Sequence, residues 1–125
     1  MTPVEKIMRT APVIPVLVIE DAAHARAIAE ALVAGGLPVL EVTLRTAAAL
    51  DAIAEMKKVP GAIVGAGTVV DVAGLDSAIA AGAEFIVSPG LTDNLGKAAV
   101  AKNIPFLPGV ASAGDIMRGL DLGLT

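Results

Sequence analysis

The chain has 125 residues, of which 55% are hydrophobic and 2% aromatic, and its formal net charge is −4. This length is that of one ordinary domain, with enough Ala, Val, Leu and Ile for a sizeable core. The acidic balance disfavours a nucleic-acid partner, which requires a basic face. The chain has no Cys, which excludes disulfides and thiolate metal sites. It shows neither a signal-peptide run nor an apolar stretch long enough to span a bilayer, so we expect a cytoplasmic protein without membrane contact.

The predicted elements alternate between β-branched strands and Ala-rich helices. A short helix or ordered lead-in covers residues 3–9, and Asp21 and Asp71 are expected to cap helices. Gly35, Gly36 and Gly82 are expected to end them. Strands are predicted at residues 13–19, 39–43, 62–65, 85–87 and 105–107. Helices are predicted at residues 22–33, 47–58, 72–81, 94–102 and 113–120.

The predicted strands end at intervals of roughly 21 to 24 residues, which indicates five βα units. Two architectures accommodate such units: a doubly wound open sheet and a (β/α)₈ barrel. Five units are too few to close an eight-fold barrel, which needs roughly 200 residues or more. Spacing alone therefore favours the open sheet.

The second predicted strand carries a single carboxylate, Glu41, among apolar residues. Because strand side chains alternate between faces, Val39, Glu41 and Thr43 share one face. Leu40 and Val42 share the other, which suits packing against helices. A buried carboxylate is costly unless it has a partner or a chemical role. The polar end of this strand is therefore the first candidate site.

Two interpretations of Glu41 remain open at this point. It is either a general base whose pKa is raised by apolar neighbours, or a structural carboxylate paired with Arg45 or with backbone donors. Along an ideal strand, Glu41 and Arg45 are about 13 Å apart. The two side chains converge only if the chain bends after Thr43.

Two further groups follow strand ends. Arg45 is either a bidentate holder of a carboxylate or phosphate, or a surface side chain. The run from Gly65 to Thr68 offers close backbone approach and a hydroxyl, or is simply a tight βα turn; it is not a complete dinucleotide fingerprint. The single His24 has no second ligand at metal spacing, so no metal site is expected.

Six segments, taken in order, resemble the 2-keto-3-deoxy-6-phosphogluconate (KDPG) and 4-hydroxy-2-oxoglutarate aldolase family, class I pyruvate aldolases of the Entner–Doudoroff pathway. Together they are far more specific than any one of them. They are PVIPV at 12–16, ALVAGG at 31–36, LEVTLRT at 40–46, VGAGTV at 64–69, VSPGLT at 87–92 and LPGV at 107–110.

The resemblance implies an α/β fold of the TIM (β/α)₈-barrel class, with about five βα units and parallel strands here, and it overrides the open-sheet preference. It implies a homotrimeric lyase that cleaves 2-dehydro-3-deoxy-6-phosphogluconate to pyruvate and glyceraldehyde 3-phosphate. It implies no metal or other cofactor, because a lysine forms a Schiff base with the small keto-acid substrate. Glu41 matches the family's proton-transfer carboxylate, and Arg45 and Thr68 match residues that hold the pyruvate carboxylate.

The family's Schiff-base lysine has no counterpart in these residues. It belongs to a Lys-Phe-Phe-Pro run on the sixth strand, a few residues beyond the Gly-Leu pair that matches Gly123 and Leu124. We therefore expect residues 1–125 to form a single, C-terminally incomplete aldolase-type domain that is inactive alone and lacks the distal phosphate loops. The alternative is a noncatalytic fragment or assembly module with a flavodoxin-like or partial-barrel fold, which strand order would distinguish.

Overall fold

The computed structural model describes residues 1–125 as a parallel sheet with helices along the chain between its strands. The strands are β1 (Val16–Leu17), β2 (Val39–Thr43), β3 (Ile63–Gly67), β4 (Ile86–Ser88) and β5 (Phe106–Pro108). The helices are α1 (Pro3–Thr10), α2 (Ala25–Ala34), α3 (Ala49–Met56), α4 (Val72–Ala81), α5 (Asp93–Ala101) and α6 (Ala113–Asp121). A short 3₁₀ turn at Ala22–His24 precedes α2.

The strands lie in the sheet in the order in which they occur in the sequence, β1-β2-β3-β4-β5, and every neighbouring pair is parallel. A doubly wound sheet would reverse its order at a switch point. The sequential order instead matches a barrel that is not closed, so the partial-barrel prediction is confirmed. The preference for an open doubly wound sheet, drawn from spacing, was wrong because a βα unit has the same length in both architectures.

The two faces of the sheet pack into separate apolar clusters. Leu40 and Val42 of β2 join the larger cluster, which includes buried residues of α2, α3, α4 and α5. Val39 belongs instead to a small cluster with Ile7 and Phe85 on the opposite, inner face. The alternation predicted for β2 is thus confirmed, and it directs Glu41 towards the inside of the partial barrel.

The first strand is shorter than the sequence predicts. Seven residues were expected, but only Val16 and Leu17 form bridges, opposite Glu41 and Val42. Pro15 has no N–H to donate, although its carbonyl accepts from the backbone of Glu41 at 3.0 Å. Because β1 lies at the edge of the sheet, nothing on its other side extends the pairing.

Helix boundaries follow the local capping groups. Asp71 caps α4 by accepting from the backbone N–H of Gly74, and Gly82 ends that helix with φ 105°, as predicted. Asp21 also caps, but its partner N–H on Ala23 lies in the 3₁₀ turn, so α2 begins three residues later than predicted. At the end of α2 only Gly36, not Gly35, adopts a positive φ.

None of the six helices combines the length and apolarity needed to cross a lipid bilayer. The prediction of a single domain, like that of cytoplasmic location, stays a prediction.

Candidate functional site

The candidate site lies at the carboxyl ends of β2 and β3, the most extensively paired strands of the sheet. Five residue pairs join them, and Glu41 lies opposite Gly65 while Thr43 lies opposite Gly67. Beyond the last pair, the backbone N–H of Leu44 still donates to the Gly67 carbonyl at 2.9 Å. The residues that follow the two strands therefore emerge side by side, as parallel pairing requires.

Glu41 is buried on the inner face, with 8% of its surface exposed. Its carboxylate forms no ion pair and accepts no hydrogen bond from the chain. Burial raises the pKa of Glu41 above its ordinary value, and the positive charge of Arg45 offsets part of this rise. The interpretation of Glu41 as a paired structural carboxylate therefore has no partner to support it.

Arg45 lies in a turn that begins as soon as β2 ends at Thr43. This turn brings its charge close enough to act on Glu41, although the guanidinium is exposed and bonded to no carboxylate. The bend on which convergence depended is therefore present. An exposed, unpaired guanidinium at the end of a strand is available to an anionic ligand.

Thr68 follows β3 directly and has an unusual backbone conformation. Its φ is 56°, in the left-handed region that β-branched residues rarely occupy. The side chain is half-buried, and its hydroxyl has no hydrogen-bond partner within the chain. A strained residue with a free hydroxyl at a strand end is typical of a ligand-binding position.

Two other threonines secure the site to the edge strand. Thr43 donates a hydrogen bond to the carbonyl of Leu17 at 3.0 Å, and Thr46 donates to the carbonyl of Ile19. These bonds continue the contact between the two chain segments beyond the last bridged pair of β1 and β2. The turn that carries Arg45 is thereby held in place.

The glycines of the Gly65-to-Thr68 run do not form the turn that the sequence suggested. Both Gly65 and Gly67 lie within β3, and Thr68 is the first residue beyond the strand. A side chain at Gly65 would strike the ring of Phe85, and one at Gly67 would strike Glu41. Sequence reasoning missed this role; alternation along β3 together with its pairing to β2 was the signal that could have found it.

The ends of β4 and β5 complete the rim. The buried Ser88 hydroxyl donates to the Gly90 carbonyl at 2.7 Å, and the backbone N–H of Gly109 donates to the Ser88 carbonyl at 2.8 Å. A Cβ on Gly109 would lie 2.5 Å from the carbonyl carbon of Pro89, so the two loops touch through their backbones. The ends of β4 and β5 are thus neighbours in space.

The lysines lie on or beside the helices. Lys57, Lys58 and Lys102 each pair with an acidic side chain at 2.6 to 2.9 Å. Lys6 and Lys97 lie on α1 and α5. No group of three or more His, Asp or Glu side chains is arranged to hold a metal ion.

The sequence model of the family described as KDPG and KHG aldolase matches residues 4–125. The chain belongs to this family. One relative, the 2-dehydro-3-deoxy-phosphogluconate aldolase of Zymomonas mobilis, is 66% identical over 124 residues, which are 99% of this chain and 60% of the relative. The KHG/KDPG aldolase of Escherichia coli K12 is 52% identical and is covered to 58% of its length.

Solved structures of the family superpose closely on the chain. The Zymomonas mobilis aldolase with 3-phosphoglycerate gives a TM-score of 0.95 at 66% identity, over 98% of this chain and 58% of that one. The Legionella pneumophila KDPG aldolase, with pyruvate captured as a covalent carbinolamine, gives 0.92 at 44% identity over 98% and 60% of the two chains. The chain thus spans about three fifths of the length of these relatives.

Proposed function

We propose that these residues supply the proton-transfer and carboxylate-binding part of a class I aldolase. The proposed reaction cleaves 2-dehydro-3-deoxy-6-phosphogluconate to pyruvate and glyceraldehyde 3-phosphate. The observation that carries the proposal is the unpaired carboxylate of Glu41, a residue with 8% of its surface exposed, beside the ends of β2 and β3. Membership of the KDPG and KHG aldolase family supports it.

In this proposal Glu41 transfers the proton. Burial raises the pKa of Glu41 from its ordinary value towards neutral pH. A group whose pKa lies near the working pH can accept a proton in one step and release it in another. Because its oxygens accept no hydrogen bond from the chain, they are free to contact a substrate hydroxyl, a water molecule or the methyl carbon of a bound pyruvate.

Arg45 and Thr68 are proposed to hold the carboxylate of the keto acid. Arg45 offers a fork of N–H donors and a full positive charge, and Thr68 offers a hydroxyl without another partner. Both follow strands that pair directly with one another, and we propose that one small anion contacts the two side chains together. Holding the carboxylate there directs the keto carbon towards the inner face, where Glu41 lies.

A class I aldolase also needs a lysine amine to form the Schiff base. Three of the five lysines here are engaged in ion pairs, and none follows the carboxyl end of a strand. We therefore predict that the 125-residue chain alone does not form a pyruvyl adduct. Borohydride trapping with pyruvate followed by peptide mass analysis tests this, and a reduced adduct on one particular lysine would contradict it.

A chimera tests the proposed activity itself. These 125 residues would replace the matching segment of the Zymomonas mobilis relative, which supplies the rest of the protein. We expect the chimera to cleave the phosphorylated keto acid, with kcat falling about 10²- to 10⁴-fold in Glu41→Gln. Arg26→Ala, which removes an outer ion pair with Glu55, is the control and should retain activity. A Glu41→Gln chimera with unchanged kcat would refute the assignment.

The second candidate is an assembly module that pairs with another copy of itself. Val16 in the edge strand β1 is 59% exposed, and the exposed Ile116 and Leu120 of α6 line the same surface groove as the residues of β5. Since all strands are parallel, β5 of one copy can pair with β1 of another without reversal. Light scattering tests this self-association, and a monodisperse monomer would contradict it. The same measurement also tests the homotrimer that the family resemblance implies.

A further inference from the structure

The inner face of β3 is unusual because two of its three inward positions carry no side chain. Val64 and Ala66 point to the larger, outer cluster, whereas Ile63 packs against the inner one. By alternation Gly65 and Gly67 also face inward. Neither glycine has a positive φ, so backbone conformation does not explain them.

The space above Gly65 is filled by the ring of Phe85. A Cβ on Gly65 would lie 2.5 Å from three of the ring carbons, which leaves no room for even a methyl group. Phe85 is fully buried, so the ring cannot swing out without exposing a large apolar surface. Because Gly65 pairs with Glu41, this ring occupies the inner-face position next to Glu41 across the sheet.

The space above Gly67 is filled by Glu41. A Cβ on Gly67 would overlap Oε1 of the carboxylate and lie 2.8 Å from Cδ and 2.9 Å from Cγ. Glu41 pairs with Gly65, yet its side chain lies over Gly67, one inward position nearer the carboxyl edge. The side chain therefore leans away from the ring of Phe85 and towards Thr68.

We propose that Gly65 and Gly67 are positioning residues for the Glu41 carboxylate. The ring of Phe85 over Gly65 keeps the carboxylate from lying over Gly65. The absence of a side chain on Gly67 leaves a space for the carboxylate next to Thr68, which we call the seat. The catalytic meaning of this seat rests on the proposed function; the seat itself does not. Any side chain at position 67 displaces the carboxylate, whatever its polarity.

A double-mutant cycle in urea unfolding tests the contact between Gly67 and Glu41. Gly67→Ala should raise the unfolding equilibrium constant of the chain, because the added Cβ destabilises the folded state, and we expect this rise to be about tenfold smaller in a Glu41→Ala background, where all three clashing atoms are gone. If Gly67→Ala does not fold, the double variant should. Equal damage in the two backgrounds, or failure of both to fold, overturns the proposal.

The pKa of Glu41 provides a second test, because a general loss of stability does not change it. In ¹³C NMR of the labelled chain, with Glu41→Gln to assign the signal, we expect Gly67→Ala to lower the pKa of Glu41 towards its ordinary value, because the carboxylate is pushed towards water.

Gly96→Ala is the matched control for this titration. Its Cβ would lie 2.6 Å from Leu122 on the outer layer, so it overpacks the fold away from the site and should leave the pKa of Glu41 unchanged. An unmoved Glu41 titration in Gly67→Ala refutes the positioning role. Failure of the chimera to react would refute the proposed function while leaving this result intact.

Discussion

Replacing Thr68 with Gly should stabilise the fold while damaging the site. Thr68 holds φ at 56°, and a left-handed conformation costs a residue with a Cβ roughly 1–2 kcal/mol. Glycine removes this cost but loses roughly 0.5–1 kcal/mol more conformational entropy on folding. The Thr68 hydroxyl bonds to nothing in the chain, so little else is lost. The net expectation is a gain of between about 0 and 1.5 kcal/mol in the free energy of unfolding, with a mid-range value of ~0.75 kcal/mol.

Urea unfolding of the variant and the native chain measures this gain. Asn103 is the matched control, because its φ of 52° is nearly the same but Asn tolerates this region. Asn103→Gly should therefore change the free energy of unfolding by only a few tenths of a kcal/mol at most. If Thr68→Gly is less stable than the native chain, or shifts no more than Asn103→Gly, the argument from strain is refuted.

Three further predictions concern Glu41, Arg45 and Asp71. The pKa of Glu41 is raised in the folded chain, so native stability falls as pH rises from about 4.5, its ordinary value, through the folded pKa. Glu41→Gln should thus be the more stable protein at pH 7 and lose this advantage below pH 4.5, as urea midpoints across pH will show; a pH-independent difference would contradict it. Arg45→Ala should raise the pKa of Glu41 further because the opposing positive charge is gone, and Arg45→Lys should not; a ¹³C titration in which both variants match the native chain would contradict the electrostatic link. Asp71→Ala removes the 2.7 Å cap of α4 and should lower the free energy of unfolding by about 1 kcal/mol, whereas Asp71→Ser should recover most of it; equal losses would show that the cap is not the cause.

Local chemistry in the sequence predicted most of the elements. The bounds of β2 and α4 are those expected, since an apolar run with alternation and an Asp-to-Gly helix frame leave few alternatives. Of the strand predicted at residues 13–19, only two residues pair in the structure. Pairing depends on the neighbouring strand, and the sequence of one segment does not show how far that neighbour extends. Strand order could not be deduced from spacing for the same reason, and only the family resemblance pointed to the barrel.

In the candidate site, too, the local strand pattern was predictable from the sequence, whereas the contacts between strands were not. That Glu41 faces inward followed from alternation, and the turn at Arg45 was recognised as a condition for the two to meet. The seat over Gly67 was not foreseen, because it depends on which residues of β2 and β3 lie opposite one another. Glycines in a short motif also favour a turn when read alone, whereas here they make room for a side chain of β2 and for Phe85, the residue before β4.

The unequal lengths of the strand pairings have a consequence for local opening of the sheet. Five residue pairs join β2 to β3, but only two join β1 to β2. Backbone amides of β1 should therefore exchange with deuterium early, through local fluctuations, while those of β2 and β3 exchange last. Glu41 and Gly67 both lie on the slowly exchanging pair of strands. The geometry at the carboxylate is thus insulated from fraying at the edge strand.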